Sequence, residues 1–83
     1  MPQIARSPHQ LGNIIQRTRK QRGLTQTDLA NLSGLRQEMI SKIETGHEGT
    51  KISSIYALFA ALGLELVIDT RSGRQAKDIG DIF

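Results

Sequence analysis

Apolar residues recur at helical spacing along most of this chain, in four stretches each closed by a glycine, and the period then changes once near the end. The first stretch opens at Ser7-Pro8-His9-Gln10, where Ser7 can cap, Pro8 suits a first helical position and Gln10 completes a capping box. Its stripe is Leu11, Ile14, Ile15, Thr18 and Arg19, and Gly23 ends it. A second helix opens on Thr25 as cap with Asp28 reaching back; Leu29, Ala30 and Leu32 form its inner face, and Gly34 closes it. A third spans about residues 36–45 and stops at Gly46. After a loop over 46–49, Thr50 is the expected cap of a fourth helix with Ile52, Ile55, Leu58, Phe59 and Leu62 on its apolar face, and Gly63 stops it.

From Leu64 the pattern alternates, Leu64-Glu65-Leu66-Val67-Ile68-Asp69, as a half-buried strand does. A lone strand leaves its backbone groups unpaired, so it needs a neighbour. Residues 3–6 offer one within the chain; the same strand of a second subunit is the other. Four helices separated by short breaks make one mainly α domain over residues 7–70. Residues 71–83 are of mixed charge and contain glycine, and they read as a flexible tail.

Eighty-three residues and 37% hydrophobic content, with three aromatic side chains, suit a small helical module and not a large enzyme pocket. The absence of cysteine removes disulfides and thiolate metal sites and fits a reducing compartment. No apolar segment is long enough to span a bilayer and the start does not resemble a signal peptide, so a soluble, cytoplasmic protein is expected. His9 and His47 stand alone, and no nucleophile–base set or phosphate cradle appears, so neither catalysis nor a metal or other cofactor is expected. The net charge is only +3, yet residues 1–27 hold Arg6, Arg17, Arg19, Lys20 and Arg22 and no acid. That bias fits a polyanion partner. A solvated helix face accounts for it equally well.

The third helix poses a problem and points to a function. Ile40, Ile43 and Glu44 share one face, and a carboxylate turned to a core needs a partner. The opposite face carries Gln37, Glu38, Ser41 and Lys42. Two short helices joined by the tight turn Ser33-Gly34-Leu35 make a helix-turn-helix arrangement, whose second helix enters the DNA major groove. Gln37 then offers the paired donor and acceptor that adenine recognition needs, Lys42 reaches guanine or phosphate, and Ser41 either. Glu38 accepts from cytosine or repels phosphate, and Met39 packs at the core edge or meets a thymine methyl.

The run from Arg19 through Leu29-Ala30, then Ser33-Gly34-Leu35-Arg36-Gln37, then Ile40-Ser41-Lys42-Ile43-Glu44-Thr45-Gly46, resembles the Xre/Cro/phage-repressor helix-turn-helix family over residues 10–63. The resemblance implies a bundle of four to five short helices that binds DNA as a dimer. It implies that Gln26 contacts phosphate and braces Gln37, that Gln37 reads a base, and that Glu38, Ser41 and Lys42 hold the other groove-facing positions. Thr25 would cap and touch phosphate, and Thr50 and Lys51 would form a further backbone contact. It also answers the question of Glu44, through a buried ion pair with Arg19. Arg36 departs from the pattern, because the family places Ser or Thr there as cap. Arginine cannot accept from helix amides, so Arg36 either grips a phosphate or guanine or is a tolerated exposed residue.

The strand after the last helix further resembles the HipB-type antitoxins of bacterial toxin–antitoxin operons. This narrower resemblance implies that Leu64, Leu66 and Ile68 pair across a homodimer, that the dimer represses its own operon at a palindromic operator on the nucleoid, and that it neutralises a HipA-type serine/threonine kinase. An Xre/Cro-type repressor without a kinase partner is the alternative. The tail ending Asp81-Ile82-Phe83 would dock on the toxin, mark the chain for proteolysis, or remain unpaired.

Overall fold

A computed structural model of the protein describes residues 3–71. Four helices follow in order, α1 (Pro8–Gln21), α2 (Gln26–Ser33), α3 (Gln37–Glu44) and α4 (Ile52–Leu62). α1 and α2 each pack against both α3 and α4. A fifth helix is not found among the described residues.

The helix starts follow the local chemistry, with two departures. The Ser7 hydroxyl accepts from the Gln10 backbone N–H at 3.1 Å, while the Gln10 side-chain oxygen Oε1 accepts from the Arg6 N–H at 2.6 Å. Gln10 therefore reaches one residue further back than a capping box requires. Thr25 and Asp28 close the full reciprocal box on α2, with bonds of 3.0 and 2.9 Å. The α4 start differs from expectation. Lys51, not Thr50, holds the cap position, with no side-chain cap bond, and Thr50 Oγ1 instead donates to the His47 carbonyl at 3.3 Å. The loop carries one residue more than the cap reading allowed, which leaves Thr50 outside the first turn.

At the other ends, α1, α3 and α4 share one device. An amide two or three residues past each helix bonds back five positions, Leu24 to Arg19, His47 to Lys42 and Leu64 to Phe59, at 3.1, 3.0 and 2.8 Å. Only α2 ends on the simpler bond, Gly34 N–H to Ala30 O at 2.9 Å.

Ile15, Leu29, Ile40, Leu58 and Leu62 are fully buried and form the centre of the core, joined by Ile43, Ile55 and Phe59. Two residues expected on inner faces lie outside it. Leu32 is 61% exposed, because Gln26, Leu29, Ala30 and Ser33 define a packed face lying to one side of Leu29 and Leu32 falls on the other. Ile52, at the first turn of α4, is 62% exposed.

Gly12, buried in the middle of α1, explains how closely the helices approach. A Cβ there would lie 2.7 Å from the Glu44 carbonyl oxygen and closer still to that of Ile43. α1 and the last turn of α3 thus meet backbone to backbone, which only glycine permits.

Residues 64–70 and 3–6 carry no strand assignment, so the first of the two candidate pairings, within one chain, does not form. The other candidate partner is the same segment of a second copy. Leu64 leans on the core, whereas Leu66, Val67 and Ile68 are exposed. The tail ending in Phe83 lies, apart from Arg71, outside the described residues.

Candidate nucleic-acid interface

The turn that orients α3 is short and specified residue by residue. Gly34 ends α2 at φ +78°, a conformation other residues adopt only at a cost. The Leu35 N–H is taken by Ser33 Oγ at 3.3 Å, and the Leu35 side chain packs against the core. Arg36 then holds the cap position in extended conformation with no side-chain cap bond, as its chemistry requires. α3 buries Ile40, Ile43 and Glu44. Gln37, Glu38 and Lys42 are exposed, Ser41 is half-buried, and Met39 is 40% exposed at the edge.

A chain of hydrogen bonds joins the interior to this outer face. Arg19 Nε donates to Glu44 Oε2 at 2.7 Å and Arg19 Nη2 to Glu44 Oε1 at 3.1 Å, a two-pronged pair with both side chains buried. The remaining guanidinium nitrogen, Nη1, donates to the Leu24 carbonyl at 2.8 Å. Glu44 Oε1 also accepts from Gln26 Nε2 at 3.0 Å. Gln26 Oε1 in turn accepts from Gln37 Nε2 at 2.9 Å. The first residue of α2 therefore touches both the buried ion pair and the first residue of α3.

Beside α3 runs an open groove of about 680 Å³, with Arg36, Glu38 and Lys42 on one wall and Thr50 and Lys51 on the other. Most of the expected contact residues share this groove, and Gln37 adjoins it in sequence. Thr25 is exposed, with its hydroxyl engaged in the α2 cap. The Asp28 carboxyl is held below its usual range by the Thr25 backbone N–H, and further by the Thr25 hydroxyl. The expected dimer residues lie elsewhere: Leu66 lines a separate apolar groove of about 370 Å³ with Leu11, Ile43, Ile52 and Ile55.

Two of the five early cations are structural. Arg19 is in the ion pair, and Arg22 Nε donates to the Leu62 carbonyl at 2.7 Å, placing a positive charge on the negative end of α4. Arg17 and Lys20 are exposed on α1. Neither Arg22 nor Gly12 stood out as structural in the sequence. An isolated glycine inside a helical pattern is the one signal that could have found Gly12.

The family model described as helix-turn-helix matches residues 15–68, which contain this whole arrangement. The chain belongs to the Xre-type helix-turn-helix family. Its two signature helices are α2 and α3. Antitoxin HipB of Escherichia coli K12 is 32% identical over 62 residues, covering 75% of this chain and 70% of that protein. HipB of a second E. coli strain is matched over 66% of its length. Among solved structures, a HipA-HipB-O2-O3 complex contains a chain that superposes with a TM-score of 0.77 at 32% identity, covering 84% of this helix-turn-helix chain and all of that one. The restriction-modification controller protein C.AhdI of Aeromonas hydrophila superposes with a TM-score of 0.66 at 31% identity, over 70% of this chain and 88% of the controller. These relatives are regulators and antitoxins rather than enzymes. Among the described residues, no helix is long and apolar enough to cross a membrane, and no His, Cys, Asp and Glu group is placed to hold a metal ion.

Proposed function

We propose that this protein is a homodimeric, sequence-specific DNA-binding antitoxin, which represses its own operon at a palindromic operator and holds a HipA-type serine/threonine kinase inactive. The observation that carries the DNA-binding part is the braced Gln37. It stands exposed at the start of α3 with Gln26 fixed against it, beside a groove flanked by Arg36, Lys42 and Lys51. In this reading Gln37 contacts a base through its amide. Glu38, Ser41 and Lys42 meet neighbouring base edges or phosphates, and Thr25, Gln26, Arg36, Thr50 and Lys51 fix the register on the backbone. Two half-sites then sit one helical turn apart under the two copies of α3. Leu64, Leu66 and Ile68 form the dimer seam, a reading supported by the exposure of Leu66, Val67 and Ile68 among the described residues.

The likeness to HipB chains, one from a complex that includes HipA, supports the kinase partner. The likeness to a restriction-modification controller supports the narrower alternative, a repressor without a kinase. A footprint on the protein's own promoter, with affinity followed against salt, tests the first part. Affinity should fall steeply as salt rises, since cations at the phosphates release counterions. A flat salt response would contradict it. Leu66→Asp should convert the dimer to monomer by sedimentation, and a variant that stays dimeric would rule out the seam. Capture from the native host must recover a kinase of the HipA type for the antitoxin reading to hold.

A further inference from the structure

The outline of a side-chain amide is the same either way round, so its neighbours decide which end donates. Along the chain from Glu44 to Gln37 that decision is forced at every step. Glu44, doubly bonded to the Arg19 guanidinium and buried, is a carboxylate with no proton to give. Gln26 must therefore turn its NH2 toward Glu44 Oε1, and the bond measures 3.0 Å. Its carbonyl oxygen is then left facing Gln37, which must answer with its own NH2, at 2.9 Å. Gln37 is left with its carbonyl oxygen and one N–H for a partner outside the protein. That is the pair of groups adenine requires, an acceptor for its amino group and a donor for its ring nitrogen.

We propose that Glu44 is a positioning residue for base recognition, its buried carboxylate fixing through Gln26 which way round Gln37 presents its amide to DNA. The inference rests on the reading of Gln37 as a base contact and adds to it. Arg19 and Glu44 together then do more than hold α1 to α3: they set the polarity of a hydrogen-bond relay that ends at the groove. With a neutral amide in place of the carboxylate, Gln26 can turn either way and Gln37 with it. Discrimination at one base pair is lost, while the rest of the interface is untouched.

The experiment measures binding of the full chain to its footprinted operator and to operators substituted one base pair at a time beneath α3. Gln37→Ala first identifies the base pair that Gln37 reads. Glu44→Gln alone strands the Arg19 charge, so the informative protein is the double variant Arg19→Met/Glu44→Gln, which buries no unpaired charge. Gln26→Met, a second variant, cuts the relay in the middle and removes one bond to Glu44, while the Arg19–Glu44 pair stays in place. A bidentate base contact discriminates by roughly five- to a hundredfold. Both variants should lose most of that factor at the Gln37 base pair and little at the others. In the free protein, the Gln37 side-chain amide should show one fixed set of NMR cross-peaks to Gln26, averaged in the double variant.

Discrimination retained at the Gln37 base pair, or lost evenly at all pairs, would overturn the proposal and leave the DNA-binding reading intact. A wild-type protein that binds no DNA, or a Gln37→Ala variant that changes no base preference, would overturn that reading and the relay's role with it.

Discussion

The two helices that meet at the turn are the same length, yet they are held in place by opposite means. α2 carries its own start and stop: Thr25 and Asp28 satisfy its first amides, and Gly34 takes the left-handed turn that ends it. α3 has no side-chain cap at Arg36. It is fixed from outside, by Arg19 and Gly12 of α1 beneath its last turn and by Gln26 of α2 beside its first residue. An isolated helix of eight residues is too short to persist in water, so α2 gains from local bonds and α3 depends on tertiary ones. The helix that exposes Gln37, Glu38 and Lys42, the side chains proposed to meet DNA, is thus the one whose geometry belongs to the whole domain.

The largest expected effect breaks that dependence at its centre. Arg19→Met leaves the Glu44 carboxylate buried without its cation and should cost roughly 3–5 kcal/mol, as should Glu44→Leu. Replacing both removes the charges together and should cost far less than the two losses summed, because buried pairs add little net stability over apolar packing. Denaturant unfolding of the three variants measures the coupling. Additive losses would mean that the pair does not hold α3. In either single variant, amide exchange should accelerate in α3 before α2.

Gly12→Ala comes next. In an ordinary helix interior this change stabilises by about 1 kcal/mol. Here the new methyl would meet the carbonyls of Ile43 and Glu44, which are backbone and cannot swing aside. Overpacking of this kind costs roughly 1–3 kcal/mol, so the net sign should reverse and the unfolding midpoint should fall. A gain in stability would show that α1 and α3 can separate at little cost.

The same contrast explains how much was legible in the sequence. Ser7, Thr25, Asp28 and the closing glycines act through bonds a few residues long, so the four helices could be read in order. Glu44 was legible as a question, since its position demanded a partner, and family resemblance rather than spacing pointed to Arg19. Leu32 and Ile52 were misplaced because periodicity gives a stripe but not which edge of it a neighbour covers. The Arg22 bond to Leu62 spans 40 residues and had no local signature. The alternation over residues 64–69 suggested a strand but could not name its partner, and no strand forms there among the described residues.

The smallest effects concern the helix starts and should have opposite signs. Thr25→Ala removes a working cap and should cost about 1 kcal/mol, whereas Arg36→Ser supplies a missing one and should add about 0.5 kcal/mol. Binding then separates the two roles of Arg36. If it grips phosphate or guanine, Arg36→Ser should weaken operator affinity or lower the salt dependence while the fold becomes more stable; unchanged affinity and salt slope would make it a tolerated surface residue. Acid gives an independent handle on the α2 cap. Asp28 has its folded pKa lowered by Thr25, so its contribution is complete above the unfolded value of about 3.9 and disappears as the pH falls through the lower, folded one. The stability difference between wild type and Asp28→Asn should therefore shrink below about pH 4 and be flat above it. Since Arg36 offers no titrating cap, Arg36→Ser should shift stability by the same amount on both sides of that pH. An acid-dependent effect of Arg36→Ser would mean that the two helix starts are coupled through the turn, and that α3 borrows more from the α2 cap than the separate bonds imply.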